Sequence, residues 1–164
     1  MVRNPMRLTR RSSIICAMAI VVGVDGSAES VQALRWALEE ARLRKTRVRA
    51  LYVWEFPSTL VVSDPLLGGP EFDPLLVEPS ELEGIARQRL ADIVRAVAAD
   101  PGLLEEQVVE GNPAEALVQA SKDEELLVVG SRGRGRFSGS LLGSVSQACA
   151  HHARCPVVIV RGGL

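Results

Sequence analysis

The chain has 164 residues, 47% hydrophobic and 24% charged, the balance of one ordinary globular domain. No stretch approaches the roughly 18 consecutive apolar residues of a membrane span, and a formal net charge of −1 gives no basic footprint for nucleic acid. Three cysteines are odd in number and too sparse for a disulfide framework, so the expected location is cytoplasmic, with no membrane and no nucleic-acid partner.

The charge is uneven. Residues 1–17 carry Arg3, Arg7, Arg10, Arg11 and no acid, which leaves the rest of the chain at −5. Thr9-Arg10-Arg11 resembles a twin-arginine signal, and Ala17-Met18-Ala19 could serve as a small-residue cleavage site. Only Ile14, Ile15 and Cys16 precede Ala17 as an apolar region, shorter than the about 7–15 residues an export signal uses. The segment reads as a basic arm outside the fold, or as translation upstream of Met18, and the domain is expected over residues 18–164.

From residue 19 onward, apolar runs alternate with helical periodicity. Residues 19–24 form a β-branched run that ends at Asp25-Gly26-Ser27, where Ser27 can cap a helix. Val31, Leu34, Leu38 and Ala41 then define one helical face. Residues 48–54 are a second strand. Residues 55–79 hold seven prolines and glycines and read as a long loop. A helical stripe returns over 81–99 through Leu82, Ala86, Leu90, Ile93 and Val97, followed by a short strand at 106–109. Asn112-Pro113-Ala114-Glu115 has the form of a helix start, with a cap, proline at N1 and an acid at N3. Strands at 126–129 and 156–160 flank a last helix expected over 140–152.

This order, β-α-β-α-β-α-β-α-β, predicts a single doubly wound α/β domain: a five-stranded parallel sheet with helices on both faces. The runs at 19–24 and 126–129 are continuously apolar, as befits strands covered on both sides. Ligands of such sheets bind beyond the carboxyl ends of strands, where strand order reverses.

Three segments at strand ends carry suitable chemistry. Asp25 can accept from hydroxyl or amine donors, Val53 offers backbone groups, and residues 130–144 hold five glycines, three arginines (Arg132, Arg134, Arg136) and the hydroxyls of Ser140 and Ser144. Glycines let backbone N–H groups approach a ligand closely, and the helix start that follows favours an anion. That combination suits a polyphosphate. There is no G-x4-G-K-S/T loop and no G-x-G-x2-G after the first strand, and the signatures G-x-S-x-G and H-E-x2-H are also absent.

Gly130-x2-Gly133-x9-Gly143-Ser144 resembles the ATP-binding signature of the universal stress protein family. Residues 19–27, Leu51-Tyr52-Val53, Gly111-Asn112-Pro113 and residues 155–160 are similar to the family's first strand and turn, second strand end, third helix entry and closing strand. The resemblance implies a Rossmann-like fold of the adenine nucleotide alpha hydrolase type. It implies that Asp25 contacts the nucleoside and that Val53 meets adenine through its backbone. By the same resemblance, Gly130 and Gly133 lie against ribose and phosphates, and Gly143, Ser144 and Val145 cradle the triphosphate of ATP with Mg2+ or Mn2+. It further implies a homodimer through the last strand, Val157–Val160, an apolar edge that would otherwise invite aggregation.

Cys149, His151, His152 and Cys155 lie close together, but their spacing is not that of a zinc site and adjacent helical histidines point about 100° apart. No metal held by protein ligands alone is expected. Cys149 reads as a core residue, Cys155 as a packed one, and Trp36 and Trp54 as packing residues. Three functions come into question, and the sequence favours the first. The first is an ATP-binding regulatory protein with an as yet unnamed protein partner and at most slow hydrolysis, since Asp25 is the only acid expected near the nucleotide. The others are a nucleotide-free interaction module and an adenylyl-transferring enzyme, which would use a pyrophosphate loop or histidines that residues 1–150 do not contain.

Overall fold

The structure, a computed structural model, describes residues 18–55, 78–97, 100, 102–134 and 142–162. In chain order the elements are β1 (Ile20–Gly23), α1 (Ala28–Arg44), β2 (Val48–Trp54), α2 (Pro79–Ala96), β3 (Leu104–Glu110), α3 (Pro113–Ala120), β4 (Leu126–Gly130), α4 (Ser144–His152) and β5 (Val157–Val160). The five strands form one sheet in the order β3-β2-β1-β4-β5, and every pairing is parallel. The doubly wound α/β reading is therefore correct, and strand order reverses between β1 and β4.

The strand period of two sorts the core into two layers. Ile20, Val22, Val48, Ala50, Leu126 and Val128 face one way and meet Leu34, Ala37 and Leu38 of α1 and Ala86 and Leu90 of α2. Val21, Leu51, Leu127 and Val129 face the other way and meet Leu117 of α3 and Cys149 of α4. Cys155 packs against the second layer, and Trp36 and Trp54 against the first, as the sequence suggests. β1 and β4 are buried along nearly their whole length because helices cover both faces.

Local chemistry sets the ends. Ser27 caps α1 by accepting from the Ser30 N–H, and Lys45 closes it in the left-handed conformation. Asn112 accepts from the N–H groups of Ala114 and Glu115 with Pro113 at the first turn of α3, the expected start. Three boundaries differ from expectation. α2 begins at Pro79, so that proline starts a helix rather than ending a loop, and it stops at Ala96 rather than residue 99. β3 runs for seven residues, because Leu104 and Glu105 pair with Val48 and Arg49. α4 begins at Ser144, residues 135–141 with Ser140 lying outside the described region. The basic arm at 1–17 and positions 56–77 of the long loop also lie outside it.

The amino-terminal edge of the sheet is tied by charge. The Glu124 carboxylate accepts from the Ala19 N–H at 2.6 Å and pairs with Arg49 at 2.8 Å, joining the starts of β1, β2 and β4. Chemistry is left for the opposite edge.

Candidate functional site

At the carboxyl ends of β1, β2 and β4, on the face covered by α3 and α4, lies a cavity of about 700 Å³. The residues that face it come from alternate strand positions: Gly23 and Asp25 continue the register of Val21, and Val53 and Glu55 that of Leu51. Gly23 lets Leu117 of α3 close in on the end of β1, since a methyl group on it would stand 2.9 Å from Leu117 Cδ1. All seven residues singled out by sequence border this one cavity: Asp25, Val53, Gly130, Gly133, Gly143, Ser144 and Val145.

The turn after β1 is built on serines. Gly26 takes φ +86°, a left-handed conformation that glycine adopts without strain. The Ser30 hydroxyl accepts from the N–H groups of Asp25 and Gly26 and donates to the Ser27 carbonyl at 2.9 Å. Asp25 Oδ1 accepts from both the N–H (2.9 Å) and the hydroxyl (2.6 Å) of Ser27, and Oδ2 accepts from the Arg134 N–H at 3.0 Å. Burial alone would push the Asp25 carboxyl up. The hydrogen bonds from Ser27, Ser30 and the Arg134 backbone outweigh it and hold the group below the ordinary 3.8.

The exit of β4 is fixed against α4 by a buried hydroxyl. Ser146 Oγ reaches the carbonyls of Ser131 (3.0 Å) and Gly143 (2.9 Å), the Gly143 N–H donates to the Ser131 carbonyl at 2.8 Å, and the Ser131 N–H donates to Val160 at 2.7 Å. α4 has no side-chain cap, and Ser144 and Val145 in its first turn border the cavity. The first N–H groups of a helix lack intrahelical partners, so this end suits an anion. Arg132 and Arg134 line the same side.

Sequence reasoning missed three contributors. Ser30 and Ser146 hold the two loops in place, and only their i, i+3 spacing from Ser27 and Gly143 hints at it. Glu55 is a second acid on the cavity wall, which corrects the expectation that Asp25 stands alone. No lysine or histidine is among the described lining residues. No group of three His, Cys, Asp or Glu side chains among the described residues could hold a metal ion. Cys149 is wholly buried and its thiol is pushed up to about 11, first by burial.

The fold agrees with comparison to known proteins. A model of the universal stress protein family matches residues 18–161, and the chain belongs to that family. A universal stress protein of Mycobacterium tuberculosis is 37% identical over 147 residues, 88% of this chain and 46% of the relative. One from Mycolicibacterium smegmatis is 36% identical over 145 residues, 87% of this chain and 48% of the relative. The chain thus spans about half the length of the curated relatives it matches. Among solved structures, a universal stress protein in complex with cAMP has a TM-score of 0.58 at 27% identity, covering 90% of this chain and 98% of that one. One from Archaeoglobus fulgidus in complex with dAMP has a TM-score of 0.51 at 28% identity, covering 87% and 97%.

Proposed function

We propose that the cavity binds an adenine nucleotide, with ATP the favoured ligand, and that the protein acts as a regulatory member of its family. The observation that carries this reading is the convergence of three strand ends and an uncapped helix start on one cavity of about 700 Å³, within the range of small-molecule sites. Two family structures with 27% and 28% identity hold cAMP and dAMP.

The cavity is chemically two-ended. The α4 start with Gly143, Ser144 and Val145, flanked by Arg132, suits phosphates. Val53, Pro113 and Leu117 offer an apolar slot for a base, and the Glu55 carboxylate, an acceptor only, suits the amine-bearing edge of adenine. Gly130, Gly133 and Asp25 border the same cavity, and the sugar is assigned to them by the family resemblance. Mg2+ or Mn2+ would arrive on the phosphates, where the Ser144 hydroxyl is the protein group suited to it, and would neutralise their charge. Hydrolysis is expected to be slow. The described lining supplies no lysine for the terminal phosphate, and the resemblance gives Asp25 a recognition role rather than that of a base. Nucleotide occupancy would alter a surface read by another protein, in the cytoplasm and as a homodimer through Val157–Val160.

The test is the nucleotide carried by freshly purified protein, released by acid and quantified by chromatography. A Gly143→Asp variant puts bulk and negative charge where the phosphates should sit. ATP in the native protein and none in the folded variant is the expected result. Failure of the native protein to carry nucleotide or to bind millimolar ATP with magnesium would turn the reading to an interaction module without nucleotide.

A further inference from the structure

The two segments of the site that come from β1 and β4 meet at one atom. Asp25 Oδ1 is saturated by the N–H and hydroxyl of Ser27. Oδ2 accepts the Arg134 N–H at 3.0 Å across 109 positions of sequence. Gly133 passes so close above this oxygen that a Cβ on it would stand 2.7 Å away. A carboxylate oxygen has two lone-pair directions, so Oδ2 can accept one more donor beside the Arg134 N–H.

We propose that Asp25 is a positioning residue as well as a ligand contact: its Oδ2 sets the backbone of Gly133 and Arg134 against the cavity, and a ligand hydroxyl takes the remaining lone pair of that same oxygen. Loop placement and sugar recognition are then one interaction rather than two. The proposal rests on the nucleotide reading for its second half alone. The first half concerns the ligand-free protein.

The geometry dictates the glycine. With the contact closed, only a residue without Cβ fits at position 133, so this glycine answers to Asp25 whatever it does for a ligand. The low carboxyl pKa agrees, since an ionised Oδ2 is the stronger acceptor. Arg134 contributes through its backbone N–H, so side-chain identity at 134 is free of this role.

Asp25→Asn is the discriminating change. The two Ser27 donors require an oxygen at the Oδ1 position, which turns the amide NH2 toward the Arg134 N–H, donor against donor. Gly133→Ala opens the contact from the other side. In the full chain without nucleotide, amide hydrogen exchange at Arg134 is expected to rise at least about tenfold in either variant, the worth of one hydrogen bond to a charged group. Arg87→Ala, on the exposed surface of α2 and away from the contact, should leave it unchanged. Exchange at Arg134 unmoved by Asp25→Asn in a protein with native circular dichroism would overturn the positioning role.

The ligand half is read by ATP affinity in the presence of magnesium. Each single variant should weaken binding, and the double variant should lose clearly less than the product of the two factors, because the second change acts on a contact already open. Multiplicative losses would sink the coupling. Native protein that binds no ATP ends the nucleotide reading and the coupling together, while the exchange result still decides whether Asp25 holds the loop.

Discussion

A methyl group on Gly130 would stand 2.9 Å from the Glu29 carbonyl carbon and 3.0 Å from the Ser30 nitrogen, both backbone of α1. One on Gly143 would meet nothing closer than 3.4 Å, at φ −74°, a conformation open to any residue. The two glycines therefore serve different masters. Gly130 lets the end of β4 lie against the start of α1, whereas none of the described neighbours demands glycine at 143, in keeping with the phosphate-binding role proposed for it. Gly130→Ala is expected to lower stability by about 1–3 kcal/mol, the usual cost of forcing extra bulk into packed backbone. Gly143→Ala should change it by less than about 0.5 kcal/mol. Urea denaturation of the two variants beside the native chain decides the matter. Equal losses would mean that position 143 is also a packing site.

Among the elements, the two sheet edges contrast. β3 presents Glu105, Glu106 and Gln107 as exposed side chains, two like charges and a polar amide that discourage another strand. β5 is Val-Val-Ile-Val with all four residues only half-buried. The carbonyls of Pro156 and Val160 accept from Leu127 and Ser131 of the β4 side, so by strand alternation Val157 and Ile159 turn their backbone polar groups outward. Ile159→Pro removes an outward donor and leaves the β4 ladder intact. If β5 forms the homodimer edge, this variant should sediment as a monomer where the native chain sediments as a dimer. A variant that stays dimeric would place the interface elsewhere. Elements were legible from sequence where burial is two-sided, as in β1 and β4, because an apolar run admits few alternatives. They blurred where burial is one-sided. The Leu-Glu-Glu start of β3 looks like surface and is strand only because β2 pairs with it, and Pro79 looks like a breaker and is a helix start.

Across the whole molecule, the sheet divides labour between its ends. The amino edge is closed by Glu124, which serves Arg49 and the Ala19 N–H with only 12% of its side chain exposed. Glu124→Ala strands the Ala19 N–H, leaves Arg49 only its longer pairing with Glu105 at 3.9 Å, and should cost about 2 kcal/mol in chemical denaturation, the scale of hydrogen bonds to a charged group. Nucleotide affinity should stay within about twofold of native, because the cavity lies at the other edge. A large loss of affinity would show that the two ends are not independent. Of the seven candidate residues, Asp25, Ser144 and the three glycines left a local trace at strand ends and a helix start, whereas Val53 and Val145 rested on the family resemblance. Ser30, Ser146 and Glu55 left none, because their roles exist only once β1, β2, β4 and α4 are brought together. Strand order was equally silent, as it depends on long-range pairing that no local pattern encodes.

Gly23 leaves the carboxyl end of β1 without a side chain, Leu117 of α3 packs into that space, and both border the cavity. If the cavity takes the proposed nucleotide, the binding free energy adds to that of folding. At a hundredfold excess over Kd this linkage is worth about 2.7 kcal/mol, a large share of the roughly 5–15 kcal/mol that holds a domain together. The folded population, and with it resistance to proteolysis, would then rise and fall with the adenylate pool, making abundance itself a record of energy supply.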